Sequence, residues 1–372
     1  RDLHSFPTRR SSDLIMPERV TIQDIADALG LSRNTVSKAI NNTGILADAT
    51  KEKVLRKAVE MGYKQFSYAA TLEDITNQNN ASDSQSNNKE IALLTTKFLG
   101  DSHFSSTMLD KFQREISQMG YSLSMHRILG NELKSQKLPV TFDASRTSGI
   151  ICYELFDHAY SQMVCNLDIP VLFVDSPVAG LAAPLKADRL YMDNQSCIYS
   201  FIQEMIRRGK KSFGFVGERF HCQSFWERYM AFRDAMFLLG LDYNEDYCML
   251  ENKEGVENPG SEDYQDYLTR CFVKLEKLPE VIICANDFVA IDTMHVLRKL
   301  GYSIPEDVYI CGFDDSPESK IVMPPLTTIH IHSQIMGFSA VHLLISRIKN
   351  PSLNYRTIYT ETSLIYRDST GD

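Results

Sequence analysis

The stretch Val20–Asn42, VTIQDIADALGLSRNTVSKAINN, reads as two short helices joined by a tight turn. Thr21 can cap the first helix, with Asp24 three residues on, where a helix N-terminus favours an acid. Ile22, Ile25, Ala26 and Leu29 give it an apolar stripe. Gly30 ends it, as a glycine just past the last periodic residue does. Ser32 then caps a second helix. Val36, Ala39 and Ile40 face inward there, and Arg33, Asn34, Ser37, Lys38 and Asn41 face out. This is a helix-turn-helix pattern, and its second helix carries residue types that read base edges in the major groove.

A glycine-linked helical hairpin of any function gives a similar apolar pattern, so the next segment matters. Asp48 opens a third helix, with Val54, Leu55, Ala58, Val59 and Met61 as its buried stripe and Lys51, Lys53, Arg56 and Lys57 outside. From Arg33 to Lys57 there are six Lys/Arg against two Asp/Glu. That local excess suits a phosphate backbone and favours DNA binding over a generic helical cap.

The whole chain of 372 residues carries a formal net charge of −9, which taken alone argues against nucleic acid. The charge is unevenly placed. Residues 16–72 hold eight Lys/Arg and six Asp/Glu, so the acid lies elsewhere. A mildly basic head on an acidic body limits non-specific adhesion and keeps a local phosphate-binding face. At 43% hydrophobic residues the chain can bury a large core, and its length suits two or three domains. The eight cysteines all lie between Cys152 and Cys311, several within apolar runs, and none forms a CxxC pair. They read as buried reduced thiols of a cytoplasmic protein, not as disulfides or zinc ligands. No run of 18 or more apolar residues is present, so no membrane span is expected. Residues 1–15, RDLHSFPTRRSSDLI, lack the apolar segment of a signal peptide and share no pattern with the rest of the chain. They read as a non-native leader, with Met16 as the expected start.

Residues 74–89 are rich in Asn and Ser and read as a linker. From Glu90 onward, strand-like and helical runs alternate. The strands are expected at Ile91–Thr95, Ser122–Met125, Gly149–Tyr153, Val171–Val174, Phe213–Val216, Val281–Cys284 and Val308–Cys311. The helical runs include Met108–Met119, Ser196–Arg208, Trp226–Leu239 and Phe288–Leu300. Such alternation implies βαβ units and parallel sheets. A break near Leu185–Tyr191 suggests two doubly wound subdomains, with a ligand crevice at the carboxyl ends of their strands.

Residues 19–368 resemble the LacI/GalR family of bacterial transcription regulators. The head carries the family's opening pattern in Val20-Thr21, Asp24-Ile25-Ala26, Gly30-Leu31-Ser32, Thr35-Val36-Ser37 and Asn41. The later part carries it in Ala285-Asn286-Asp287, Gly301 to Asp307, Cys311-Gly312-Phe313-Asp314-Asp315 and Pro325-Leu326-Thr327-Thr328. The resemblance implies an α/β protein with an all-α helix-turn-helix head and a periplasmic-binding-protein-like core of two doubly wound parallel-sheet subdomains. It also implies a homodimer that binds a palindromic operator in double-stranded DNA under control of a small-molecule effector. The expected organisation is a head at 16–73 with a possible hinge, a linker at 74–89 and a core at 90–368. The first subdomain would comprise about 90–188 and 333–349, the second about 189–332 and 350–368.

By the same resemblance, Arg33, Asn34 and Lys38 occupy the base-reading positions. Thr21, Ser32, Thr35, Ser37 and Asn41 are placed for phosphates, which position the head without specifying sequence; capping alone also explains Ser32 and Thr35. In the core the candidate effector contacts are Phe104, Asp175, Trp226, Arg228, Asn286 and Asp314. Carboxylates, an amide and a guanidinium at strand ends can pair with hydroxyls or a polar ring, and an aromatic can stack on a flat ligand face. Core packing accounts equally for the aromatics, and helix capping for Asn286. Asp314 or Asp315 could instead cap a helix or bridge the subdomains. His330 and His332 alternate on one strand without an evident third ligand, so no metal is expected.

No phosphate loop, HExxH or GxSxG set occurs, so neither catalysis nor a cofactor is expected. An enzyme on the same α/β scaffold is the more remote alternative. A regulator that answers mainly to a protein partner is the nearer one. One region departs from the family. Family members follow the third helix with Tyr-x-Pro-Asn and a hinge helix whose leucine enters the minor groove. Here Tyr63 is followed by Lys64, Gln65 and Phe66; Leu72 takes the leucine position, with Glu73 and Asp74 behind it. Looser coupling between core and head is the expectation.

Overall fold

The computed structural model describes residues 20–40, 46–61, 63, 90–97, 103–180, 182–251 and 259–372. The expected leader, linker and hinge, with Asn41 and Leu72, lie outside these residues. The chain divides into two compact units, residues 1–71 and 72–372.

The first unit holds α1 (Ile22–Leu29), α2 (Arg33–Ile40) and α3 (Asp48–Glu60). Thr21 and Asp24 form a reciprocal capping box at the start of α1. Gly30 closes the helix in the left-handed conformation, φ +65°, which glycine adopts without a side-chain clash. Ser32 Oγ accepts from the Thr35 N–H at 3.0 Å and starts α2. Ile25, Ala26, Val36, Ala39, Ile40, Val54, Leu55 and Ala58 form the buried centre of the three helices.

The second unit runs β1 (Glu90–Thr95), α4 (His103–Gln118), β2 (Ser122–Arg127), α5 (Gly130–Ser135), β3 (Thr147–Tyr153), α6 (His158–Cys165), β4 (Val171–Val174) and β5 (Asp188–Met192). It continues with α7 (Ser196–Arg207), β6 (Phe213–Val216), α8 (Gln223–Leu238), β7 (Cys248–Met249), α9 (Glu262–Phe272), β8 (Val281–Cys284), α10 (Asp287–Lys299) and β9 (Tyr309–Cys311). It ends with α11 (Pro317–Ile321), β10 (Thr328–Ile331), α12 (Ser333–Lys349), β11 (Thr357–Thr360) and β12 (Thr362–Ile365). Two parallel sheets result, in the orders β11-β5-β4-β3-β1-β2 and β7-β6-β8-β9. Their inner strands β1, β3, β4, β6 and β8 are buried almost throughout, as parallel strands covered by helices on both faces must be, and the edge strands β2 and β11 are more exposed. A short antiparallel pair, β10 and β12, adjoins β9 through backbone bonds from Gly312 to Thr327 and from Asp314 to Ile329.

The chain passes between the two lobes three times: after β5, after β10 and after β11. This differs from the boundaries expected at 188/189 and 349/350. Asp188–Met192 pairs in parallel with β4, and Thr357–Thr360 pairs with β5, so both strands belong to the first sheet. The sequence breaks near Leu185 because a surface loop precedes a strand there. The crossing itself comes at Asp193-Asn194-Gln195, where the Asp193 carboxylate accepts from the Gln195 and Ser196 N–H groups and turns the chain into α7. The segment around 350–356 is drawn to the first lobe by Asp188, whose buried carboxylate binds both Arg347 and Arg356. Burial opposes that ionised carboxylate, yet the arginine hydrogen bonds hold its pKa below the usual range.

Candidate DNA-reading and ligand-binding sites

On the head, Arg33, Asn34 and Lys38 are exposed on α2, while Val36, Ala39 and Ile40 are buried. At about 100° per residue the three polar residues fall on one arc of the helix, away from the packed stripe. Thr21 and Ser32 act as caps in this structure. The Thr21 hydroxyl meets Asp24 Oδ2 at 2.8 Å, and Ser32 Oγ meets Thr35 Oγ1 at 2.8 Å. Ser37 lies half-buried on the same helix.

In the core, strand carboxyl ends from both lobes converge. Asp175 follows β4 in a left-handed conformation, φ +59°, and Asp314 follows β9 at φ +116°. Glu154 follows β3 at φ +52°. Non-glycine residues in this region carry strain that concentrates at functional sites. The start of α8 faces them. The Ser224 N–H donates to Asp175 Oδ1 at 3.2 Å, and the Ser176 N–H donates to the same oxygen at 2.8 Å.

Arg228 is the centre of the group. It is 3% exposed, lies over the Phe313 ring at 3.5 Å from the centroid, and donates from one terminal nitrogen to the Ala285 carbonyl at 2.6 Å. The same nitrogen stands 3.6 Å from Asp314 Oδ1. Burial pushes the Asp314 carboxyl up to about 8; Arg228 opposes the rise, and Asp287, Glu154 and Asp175 reinforce it. Burial also raises Asp175, against hydrogen bonds from Ser176, Cys222 and Ser224 and the charge of Arg228. A ligand that donates hydrogen bonds to these carboxyls would add partners to Asp314, whose contact with Arg228 is 3.6 Å long.

Asp175, Arg228 and Asp314, three of the candidate effector contacts, therefore interact with one another. Asn286 adjoins them through its neighbour Ala285, but its Oδ1 accepts from the Val289 N–H at 3.0 Å and caps α10. Trp226 does not join. Two residues on a helix are about 200° apart, so it points away from Arg228. It stacks on Phe220, with ring centroids 5.5 Å apart and planes at 12°. Phe104 lies in α4, and its side chain is outside the described residues. Asp315, the next residue, binds His330, Lys320 and Arg367 instead. His332 bonds to Ser363, and burial lowers its pKa to about 4. Among the described residues no group of three His, Cys, Asp or Glu could hold a metal ion, and no helix is long and apolar enough to cross a membrane.

Sequence reasoning missed several residues here. Phe156 from the first lobe meets His221 from the second at 5.2 Å between ring centroids, and His221 meets Phe225 at 5.0 Å. Burial lowers His221 to about 4, with Lys97 adding to the effect, so its ring is neutral near pH 7. Phe313 stands inside the Cys311–Asp315 motif, and Asn194 follows a strand end. Those signals were present in the sequence, but partners distant in sequence decide what each does.

A three-helix head with a polar recognition face and a two-lobed α/β core with a charged cleft define a class: DNA-binding regulators with a binding-protein-like sensor. Comparison with known proteins gives the same division. Residues 21–65 match the family model of bacterial regulatory proteins, lacI family, and residues 202–370 match that of the periplasmic binding protein-like domain, together more than half of the chain. The chain belongs to the lacI family of bacterial regulatory proteins. It is similar to the HTH-type transcriptional repressor PurR of Vibrio parahaemolyticus serotype O3:K6 (strain RIMD 2210633), 26% identical over 352 residues, which span 94% of this chain and 98% of that one. PurR of Histophilus somni (strain 129Pt) is 25% identical over 94% of this chain and 98% of its own. Among solved structures, the complex of the transcriptional regulator CelR with cellobiose aligns with a TM-score of 0.64 at 20% identity, over 94% of this chain and 100% of that one. The lac repressor dimer bound to operator and the anti-inducer ONPF gives 0.63 at 18%, over 95% and 99%. These structures share the fold.

Proposed function

We propose that this chain is a cytoplasmic, homodimeric repressor that binds a palindromic operator and answers to a small molecule held between the core lobes. The effector is a sugar or a related polar metabolite. Arg33, Asn34 and Lys38 read bases; Thr35, Ser37 and Asn41 contact phosphates, with Thr21 and Ser32 contributing chiefly as caps. Asp175, Arg228 and Asp314 contact the effector, and Asn286 and Phe104 border it. Ligation changes the lobe angle and so the spacing of the paired heads. No catalytic role is assigned.

The observation that carries this reading is Arg228, buried 3.6 Å from the Asp314 carboxyl, interacting electrostatically with Asp175 of the other lobe, and lying over an aromatic ring. A thermal-shift screen of the full-length chain against sugars, including cellobiose, and against purine bases tests it. A compound present at 100 times its Kd stabilises the folded state by about 2.7 kcal/mol. We expect at least one such shift, lost in Arg228→Ala. A shift that survives Arg228→Ala places the ligand elsewhere.

One observation favours a second reading, control by a protein partner. Phe220 is 56% exposed beneath Trp226, and Phe237 at the far end of α8 is 85% exposed. No shift with any small molecule would favour that reading.

A further inference from the structure

Arg228 ends a continuous chain of hydrogen bonds that runs from one lobe to the other. Its Nε donates to Asn194 Oδ1 at 2.9 Å, and Asn194 Nδ2 donates to Glu227 Oε2 at 2.8 Å. The other oxygen, Glu227 Oε1, accepts from the Tyr359 hydroxyl at 2.9 Å and from Gln223 Nε2 at 3.0 Å. Asn194 and Glu227 are buried with Arg228. Groups at this depth must keep their partners, so the directions of the bonds among Arg228, Asn194 and Glu227 are fixed. The Asn194 amide can offer its oxygen to Arg228 only while its nitrogen faces an acceptor, and the Glu227 carboxylate is that acceptor.

The chain also spans the fold. Tyr359 belongs to β11 of the first sheet, Asn194 stands in the crossing segment after β5, and Glu227 and Arg228 lie on α8 of the second lobe. The start of α8 docks on the first lobe beside it. The Gln223 N–H donates to the Ser176 carbonyl at 2.9 Å, and the Ala179 N–H donates to Gln223 Oε1 at 3.0 Å.

We propose that Glu227 and Asn194 are positioning residues that set the orientation of Arg228, and that Tyr359 ties this orientation to the first lobe. A ligand that moves the Arg228 guanidinium then changes the contact between lobes through Asn194, Glu227 and Tyr359. The inference rests on the cleft being the effector site and adds the means by which occupancy reaches the lobe contact.

The test uses the full-length chain with no small molecule added. The nuclear magnetic resonance signal of the Arg228 Nε–H, assigned with Arg228→Lys, is followed for its shift and its rate of exchange with water. Asn194→Asp removes the donor to Glu227 and sets two carboxylates face to face; we expect the signal to move and its exchange rate to change by about tenfold, the effect of losing one buried hydrogen bond from the set. Adding Glu227→Gln to that variant restores an acceptor–donor pair in the opposite sense, and the signal should return. Tyr359→Phe removes one hydroxyl from a half-exposed ring at the far end, folds in any case, and should still shift the Arg228 signal. A purely structural role lowers the melting temperature of these variants and leaves the signal in place. An unmoved signal in Tyr359→Phe, or no recovery in the double variant, overturns the proposal. The thermal-shift screen fails or succeeds separately, because these measurements need no effector.

Discussion

On the proposed reading, Asp314 costs stability in exchange for contact with the effector. It sits at a left-handed φ of +116°, among Asp287, Glu154 and Asp175, with Arg228 as the opposing charge. Its carboxyl is raised from 3.8 to about 8 in the folded chain. The unfolded chain therefore releases this proton first, and the folded state loses stability as pH rises from about 4 towards 8. Below about pH 4 both states hold the proton and the penalty vanishes. Asp314→Asn keeps the shape and removes the titration. We expect it to raise the unfolding free energy by about 1–3 kcal/mol at pH 8 and by little at pH 4, in urea titrations at the two pH values. An equal effect at both pH values would mean that the carboxyl is not desolvated as described.

Elements were more legible in the sequence than contacts. Apolar runs of four to six residues separated by helical periods gave the parallel sheets, because buried strands and amphipathic helices leave distinct repeats. The capping pattern of Thr21, Asp24, Gly30 and Ser32 marked the ends of α1 and the start of α2. Asp188–Met192 was harder to place, since DRLYM alternates in polarity and its partners, β4 and β11, lie on either side in the sequence. The candidate site was legible where a polar residue lies just past a strand, as Asp175 and Asp314 do. Trp226 misled because being near Arg228 in sequence is not being on the same face of a helix. Asn194, Glu227 and Tyr359 could not be read as a set, because only folding brings residues 165 positions apart into one chain of bonds. At this scale Gly217 is a sharp test. It ends β6 at φ +152°, and a Cβ there would stand 2.2 Å from the Ala285 Cβ at the end of β8. Gly217→Ala must part the two central strands or strain the turn. We expect a loss of about 2–4 kcal/mol of core stability in denaturant unfolding. Wild-type stability would mean that the strand ends can part freely.

At the scale of the molecule, one chain carries both a helix-turn-helix head and a periplasmic binding protein-like core. The net charge of −9 fits that division, because the six Lys/Arg from Arg33 to Lys57 are concentrated on the head. A chain of this charge binds DNA well only where geometry presents its few cations, so its selectivity should rest on α2 and not on bulk attraction. The most direct test is selection of binding sites from random duplex DNA by the full-length chain, repeated with Arg33→Ala. We predict enrichment of a two-fold symmetric sequence, with Arg33→Ala weakening binding by about 1–3 kcal/mol and relaxing one position in each half-site. No enriched sequence, or a loss that is uniform over all sequences, would contradict a base-reading head.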